Sequence, residues 1–405
     1  MSLAKKAAEL DAQDPLGGLR ERFLPTTEPV HAYLDGNSLG RPLRRSQEDL
    51  ASFVGGEWAD RLIRGWTDGW MAWPERIGDE LGAAMLGAKA GQTVVADSTS
   101  VLLYKLARAA VDLDPTRTEI VVDTDNFPTD RYIAEGIAAE RAMTLRWIHS
   151  DPDSGVMTEQ VADLLSDRTS LVLLSHVAYR SGYLADMQAI TRLVHEAGAL
   201  MLWDLSHSVG VIPVELDACG VDLAVGCTYK YVNGGPGAPA FAYVRSGLQD
   251  RITQPIWGWL GRTDSFEMEQ GYVPAAGIRR IISGTPPIVS MIPVRAGIEL
   301  IAEAGIEAIR GKSIALTEFA IEVLDSWPSE LGVRLATPRD PARRGGHITV
   351  CRPDFRTVNE QLWGAGVIPD FRAPDGIRIG LSPLSTTFAE TLTGLETLRS
   401  TAENR

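Results

Sequence analysis

Several absences narrow what this chain can be. Cysteine is scarce: Cys219, Cys227 and Cys351 are too few and too scattered for a disulfide framework or a zinc site. Positive charge is short as well, with 39 Lys and Arg against 53 Asp and Glu, a net charge of −14. That balance disfavours nucleic acid or an anionic membrane surface as a partner. No stretch reaches the roughly 18 apolar residues of a membrane span. There is no Walker-type glycine pattern, so a nucleotide is not indicated, and no internal repeat or low-complexity tract. The amino terminus, MSLAKKAAELDAQD, lacks the apolar core of a secretion signal and reads as a short amphipathic helix, so a cytoplasmic protein is expected. With 405 residues, 44% hydrophobic and 23% charged, the chain suits a globular, enzyme-sized protein of two domains, or of one domain with extensions.

Residues 199–240 carry the densest chemistry. Two short apolar runs, 199–203 and 223–227, fit strands covered on both faces of a parallel sheet. The first delivers Asp204 and His207 at its end, the second Tyr229 and Lys230, before Gly234-Gly235-Pro236-Gly237 breaks the chain. Carboxyl ends of strands are where open α/β sheets bind ligands. A lysine to hold an aldehyde covalently, with a carboxylate to keep a pyridine nitrogen protonated, is the set that pyridoxal 5'-phosphate needs. Taken singly, each of these residues also fits an ordinary turn or surface position.

The remainder of the chain alternates strand and helix. Strands are expected at 92–97, 119–123, 170–176 and 239–244, and helices at 101–113, 158–166 and 187–197, an α/β order with right-handed crossovers. Ser98-Thr99-Ser100 before a helix reads as an N-cap or as a phosphate cradle. Phe127, on a loop after a strand, could stack on a planar ring. Ser175 and His176 are expected to face the same crevice from another strand end. Trp58, Trp66, Trp70 and Trp73 suit core or interface more than a ligand pocket. Past Pro287, residues 292–327 have helical spacing, and an α+β tail follows with strands at 347–351 and 376–381. Arg378 there is either a carboxylate fork or an exposed strand arginine.

Asp97-Ser98-Thr99-Ser100-Val101, Phe127-Pro128-Thr129-Asp130, Trp203-Asp204-Leu205-Ser206-His207, Tyr229-Lys230-Tyr231-Val232-Asn233-Gly234-Gly235-Pro236-Gly237, Gly258-Trp259 and Gly284-Thr285-Pro286-Pro287 together resemble the kynureninase family, over nearly the whole chain. The resemblance implies a fold type I pyridoxal-phosphate enzyme of the class V group: a large domain at 46–290 with a mainly parallel sheet between helices, and a small α+β domain from 1–45 and 291–405. It implies Lys230 as the Schiff-base lysine and Asp204 as the pyridine-nitrogen partner. Phe127 would stack on the ring, with Asp130, Ser175 and His207 in support. Thr99, Ser100 and Tyr229 would hold the phosphate, joined by Trp259 and Thr285 from the neighbouring subunit of a homodimer. Arg378, with Ser38, would bind the α-carboxylate of a small amino-acid substrate, and Tyr229 would relay a proton. The implied reaction is hydrolysis of L-kynurenine, or a ring-substituted kynurenine, to an anthranilate and L-alanine.

Four positions depart from the family's pattern. Leu102, Ala178, Arg262 and Ser385 stand where Asn, Asn, His and Tyr are usual. Since buried polar complementarity sets discrimination, a different β-acyl-alanine substrate is an alternative. A class V desulfurase is another, although Cys351 lies in a strand pattern rather than a mobile loop. A pyridoxal-phosphate-binding protein without activity has no need of the lysine.

Overall fold

A computed structural model describes residues 1–405. The short apolar runs become a seven-stranded sheet. Its order is Thr93–Ala96, Ala240–Val244, Leu223–Gly226, Leu200–Asp204, Thr169–Ser175, Glu119–Asp123 and Thr144–Ile148. Ala240–Val244 runs antiparallel to both of its neighbours, and every other pairing is parallel. The expected α/β sheet is therefore present.

Alternation along each strand explains why these runs had to be apolar throughout. Val121, Val172, Leu174, Met201 and Trp203 point into one core, on the side of the Ile288–Ala304 helix. Their neighbours Ile120, Val122, Leu171, Leu173 and Leu202 point into the other, against the Thr99–Val111 helix. A strand buried on both faces can spare polar residues only at its ends. That constraint places Asp204 and Ser175 on the sheet's carboxyl edge.

A second sheet of four strands has the order Asp370–Arg372, Gly376–Gly380, His347–Cys351 and Arg334–Leu335, all antiparallel. Its core draws on both ends of the chain, with Ala7, Ala32 and Leu34 packed among Ile348, Val350, Ile377, Ile379 and Phe388. Strand Ala32–Tyr33 pairs in parallel with Val367–Ile368. The amino-terminal segment does form a helix, Leu3–Gln13.

Three expectations need correction. The single helical region at 292–327 is two helices, Ile288–Ala304 and Ile306–Asp325, because Gly305 adopts φ +79° between them. The helix expected at 101–113 starts at Thr99, which brings both Thr99 and Ser100 into its first turn. The helix at 158–166 stops at Ala162. No helix is long and apolar enough to cross a membrane.

Candidate active site

A polar cavity of about 240 Å³ opens at the carboxyl edge of the large sheet. Lys230, Asp204, His207, Tyr229, Asp130, Ser175, Phe127, Thr99 and Ser100 all line it. Lys230 is 8% exposed, and its Nζ lies 3.0 Å from His207 Nε2. The turn that carries the lysine is fixed from outside: Gly40 N–H donates to the Tyr229 carbonyl at 2.9 Å, and a Cβ on Gly40 would strike the Lys230 carbonyl. The segment 35–40 thus seats the lysine from a distant part of the sequence.

Two carboxyls meet at the cavity floor. Asp204 ends its strand, and its Oδ1 accepts the Ser206 N–H at 2.7 Å, a local turn that points the carboxylate inward. Asp130 lies against it, its Oδ2 buried without a hydrogen-bond partner. Burial first, then the Asp204 charge, hold the Asp130 carboxyl well above the usual carboxylate range. A carboxyl that is both buried and set beside a second carboxyl favours its neutral form, so Asp130 keeps its proton. Burial, followed by the Lys230 charge, drives the His207 imidazole well below its ordinary pKa. Neutral His207 can then accept a hydrogen from the lysine. Burial also raises the Tyr229 phenol, with Cys227 next, so it keeps its proton at neutral pH.

At the opposite wall the Thr99–Val111 helix points its amino terminus into the cavity, with Ser98, Thr99 and Ser100 hydroxyls around it. Ser98 at the N-cap makes no side-chain cap bond, so the first-turn N–H groups remain for an anion. Asp97 before it holds φ +46°, a left-handed conformation unusual for a non-glycine residue, and is anchored by the buried Lys105 Nζ at 2.6 Å. Phe127 is 37% exposed over the cavity and meets the Tyr179 ring edge-on at 5.5 Å. Pyridoxal phosphate fits these donors. The hydroxyl-ringed helix end suits its phosphate, Phe127 its ring face, and the unpaired Asp130 Oδ2 and the Asp204 carboxylate its pyridinium.

Some sequence expectations fall elsewhere. His176 does not face the crevice: it follows Ser175 in alternation and turns away, Nδ1 3.0 Å from Ser208 Oγ, ring edge-on to Trp203, and burial depresses its pKa to about 3. Arg378 is 1% exposed, which overturns the reading of an exposed strand arginine. It sits beside the cavity, tied to Ser38 Oγ at 2.7 Å and to the Tyr179 carbonyl at 2.8 Å. Trp259 and Thr285 lie outside this cavity. Thr285 edges a second, apolar one of about 370 Å³ that includes Phe53, Trp58, Trp66 and Trp70. Of the four departures, Leu102 is fully buried in the sheet-side core. Arg262 Nε and Nη1 and Ser385 Oγ are buried without partners, and Ala178 lines a void of about 20 Å³ behind Ser175.

Sequence reasoning missed Thr129, Tyr179 and Ser206 as cavity residues, and Asp370 as the carboxylate against Arg378. Ser206 was recoverable from its place two residues after an aspartate that must be aimed. Asp370 was not, because only the strand register brings it opposite Arg378.

Comparisons with known proteins agree with this geometry. The aminotransferase class-V family model matches residues 80–361. A kynureninase of Pseudomonas fluorescens is 43% identical, covering 96% of this chain and 93% of its own length. A kynureninase of Burkholderia pseudomallei is 41% identical, covering 98% and 95%. Among solved structures, a cysteine desulfurase from Thermococcus onnurineus superposes with a TM-score of 0.83 at 20% identity, over 96% of this chain and 98% of that one. A cystine C–S lyase with its product cysteine persulfide gives 0.80 at 18%, over 93% and 98%. At such identities these two structures speak to the fold alone.

Proposed function

Because this chain belongs to the kynureninase family of class V pyridoxal-phosphate enzymes, we propose that it hydrolyses the Cβ–Cγ bond of L-kynurenine or a ring-substituted kynurenine, giving an anthranilate and L-alanine. The observation that carries the proposal is the Lys230 amine, buried in a cavity between a carboxyl pair and a hydroxyl-ringed helix terminus. Pyridoxal phosphate, when bound, supplies an electron sink that stabilises negative charge at the substrate's α- and β-carbons.

The chain's own groups then have distinct tasks. Asp204, the strand-end carboxylate beside the proton-holding Asp130, stabilises the positive pyridine nitrogen. Lys230 Nζ is the base for the substrate's α-proton once its amine is free, and His207 Nε2, 3.0 Å away and neutral, orients it. Tyr229, beside the lysine and protonated at neutral pH, delivers the proton that completes alanine. Water supplies the hydroxyl that the aryl acid gains. Thr99, Ser100 and the helix N–H groups hold the phosphate. A persulfide chemistry has no nucleophile here, since Cys227 and Cys351 are buried and Cys219 lies outside the cavity.

The proposal extends to assembly. The large body is assigned residues 46–290, and the small one residues 1–45 and 291–405; the core shared by Ala7, Ala32, Leu34 and Ile377 supports a small body built from both termini, while residues 291–301 of the Ile288–Ala304 helix pack into the large sheet's core. A homodimer is proposed with Trp259 and Thr285 acting across the interface. Supporting this, both lie outside their own chain's cavity, while Trp58, Leu62 and Ile63 present 47%, 60% and 77% of their surface beside Thr285. The test of function is product analysis. Purified holoprotein given L-kynurenine and 3-hydroxykynurenine should release equimolar alanine and the matching anthranilate, and release of neither from any substituted kynurenine would refute the assignment.

A further inference from the structure

One buried imidazole beside the lysine has no task in the chemistry described so far. His347 opens the strand His347–Cys351, where Ile348 and Val350 turn into the small core. Alternation puts His347 and Thr349 on the other face, and Arg378 joins them as the cross-strand partner of Thr349. That face meets the 179–182 turn. Thr349 Oγ1 donates to the Arg180 carbonyl, Arg378 Nη1 donates to the Tyr179 carbonyl at 2.8 Å, and a Cβ on Gly182 would stand 3.4 Å from His347 Nε2. His347 also packs on the lysine's own histidine: the His207 and His347 ring centroids are 5.4 Å apart, with the planes at 52°.

Hydrogen-bond accounting links the two rings. His347 is fully buried and neither of its ring nitrogens has a partner; His207 Nδ1 is buried and unpartnered too. The charges that bear on the rings are the cations Lys230, Arg378 and Arg372, with Asp370 paired to Arg378 and Asp204 across the cavity. Burial, then Lys230, holds His207 well below its ordinary pKa, and burial, then Arg378, takes His347 down to about 3, so both are neutral. A neutral imidazole has one N–H and one lone pair, and the bond made by one nitrogen decides which of them carries the proton. His207 Nε2 faces the Lys230 amine at 3.0 Å. To accept there, His207 must carry its proton on Nδ1, and a buried donor needs an acceptor. His347 has one to give. The Tyr179 and Arg180 carbonyls draw its own N–H, and each carbonyl oxygen has a second lone pair. The other His347 nitrogen is then free for His207, reached by a small ring rotation or through one water.

We propose that His347 is a positioning residue of the reaction: it accepts from His207 Nδ1 and so fixes the tautomer in which His207 Nε2 offers a lone pair to the Lys230 nitrogen. Without it, the His207 proton moves to Nε2 and points a donor at that nitrogen instead. This rests on the reading of Lys230 as the cofactor-bearing amine, and it names the residue of the small sheet that tunes that amine through its histidine.

The test titrates the holoenzyme's cofactor absorbance with pH in wild type, H347F, H347N and H347Q, with unfolding temperatures measured alongside. H347F keeps a ring and removes the acceptor, and should lower the midpoint by about one pH unit, the loss of one charge-assisted hydrogen bond. H347N and H347Q place an amide oxygen near the Nδ1 and Nε2 positions in turn, and one of them should return the midpoint to the wild-type value. The proposal is overturned if H347F titrates like wild type, or if both amide variants shift as far as H347F, which would make the effect one of packing alone. Should H347F fail to fold, nitrogen-15 labelling of the six histidines in the full chain freed of cofactor decides. His207 protonated at Nδ1 upholds the proposal, and a proton on Nε2 overturns it. A K230A holoprotein with the wild-type absorbance band would defeat the lysine reading instead, and the His207 tautomer of the cofactor-free chain would still decide on His347.

Discussion

Replacing Asp204 by asparagine isolates a single charge. The amide keeps the shape and, through its Oδ1, can still accept the Ser206 N–H now bonded at 2.7 Å. Burial, the largest of the causes that keep Asp130 protonated, is untouched, so Asp130 cannot simply take over the negative charge. What disappears is an opposite charge beside the pyridinium, which shifts a pKa by about 1–3 units, or roughly 1.4–4 kcal/mol. If that stabilisation is realised in the transition state, kcat/KM for kynurenine should fall about ten- to a thousandfold. The assay is steady-state anthranilate release by D204N, alongside its thermal unfolding temperature. A variant that folds like wild type and retains kcat/KM within twofold would refute the assignment of Asp204 to the ring nitrogen.

Other outcomes follow from particular contacts. Asp123 is buried, with Asp125 next as a cause, and its pKa is pushed up to about 7. The folded state therefore holds a proton that the unfolded chain loses near pH 4, so this group costs stability as pH rises to 7, at about 1.4 kcal/mol per pH unit. D123N should flatten that part of a stability–pH curve, and an unchanged slope would contradict the burial argument. Mixing inactive K230A with inactive T285A should restore activity if Thr285 acts across the interface, because one site of the hybrid dimer then has both residues; no recovery in a confirmed hybrid would mean Thr285 serves its own chain. Gly297, on the Ile288–Ala304 helix, has no room for a Cβ against the Val232 carbonyl, two residues past Lys230. G297A should lower the unfolding free energy by about 1–3 kcal/mol, the usual cost of overpacking, and loosen cofactor retention, read by denaturation and dialysis.

How much the sequence revealed depended on how local the cause was. Asp204 and Lys230 were legible because a doubly buried strand must be apolar and must release its polar residues at the end. The alternation that made those strands visible also decides Ser175 against His176, yet adjacent polar residues at a strand end do not say which one turns inward. Thr99 and Ser100 were legible as a cap or cradle, while the helix start lay earlier than expected, in the run of hydroxyl residues itself. Arg378 could not be placed from its own strand, since its burial depends on Asp370 of the adjoining strand and on Ser38 and the Tyr179 carbonyl, from two distant segments. Gly305 shows the converse: one residue at positive φ divided a helical pattern that spacing alone reads as continuous.

The central claim, that one buried amine carries the cofactor, has a direct chemical test. Borohydride reduction of the purified holoprotein followed by peptide mass spectrometry should find the pyridoxyl mass on Lys230 and nowhere else, and K230A should take up none. A label on another lysine, or a K230A protein that still turns over kynurenine at the wild-type rate, would contradict the account.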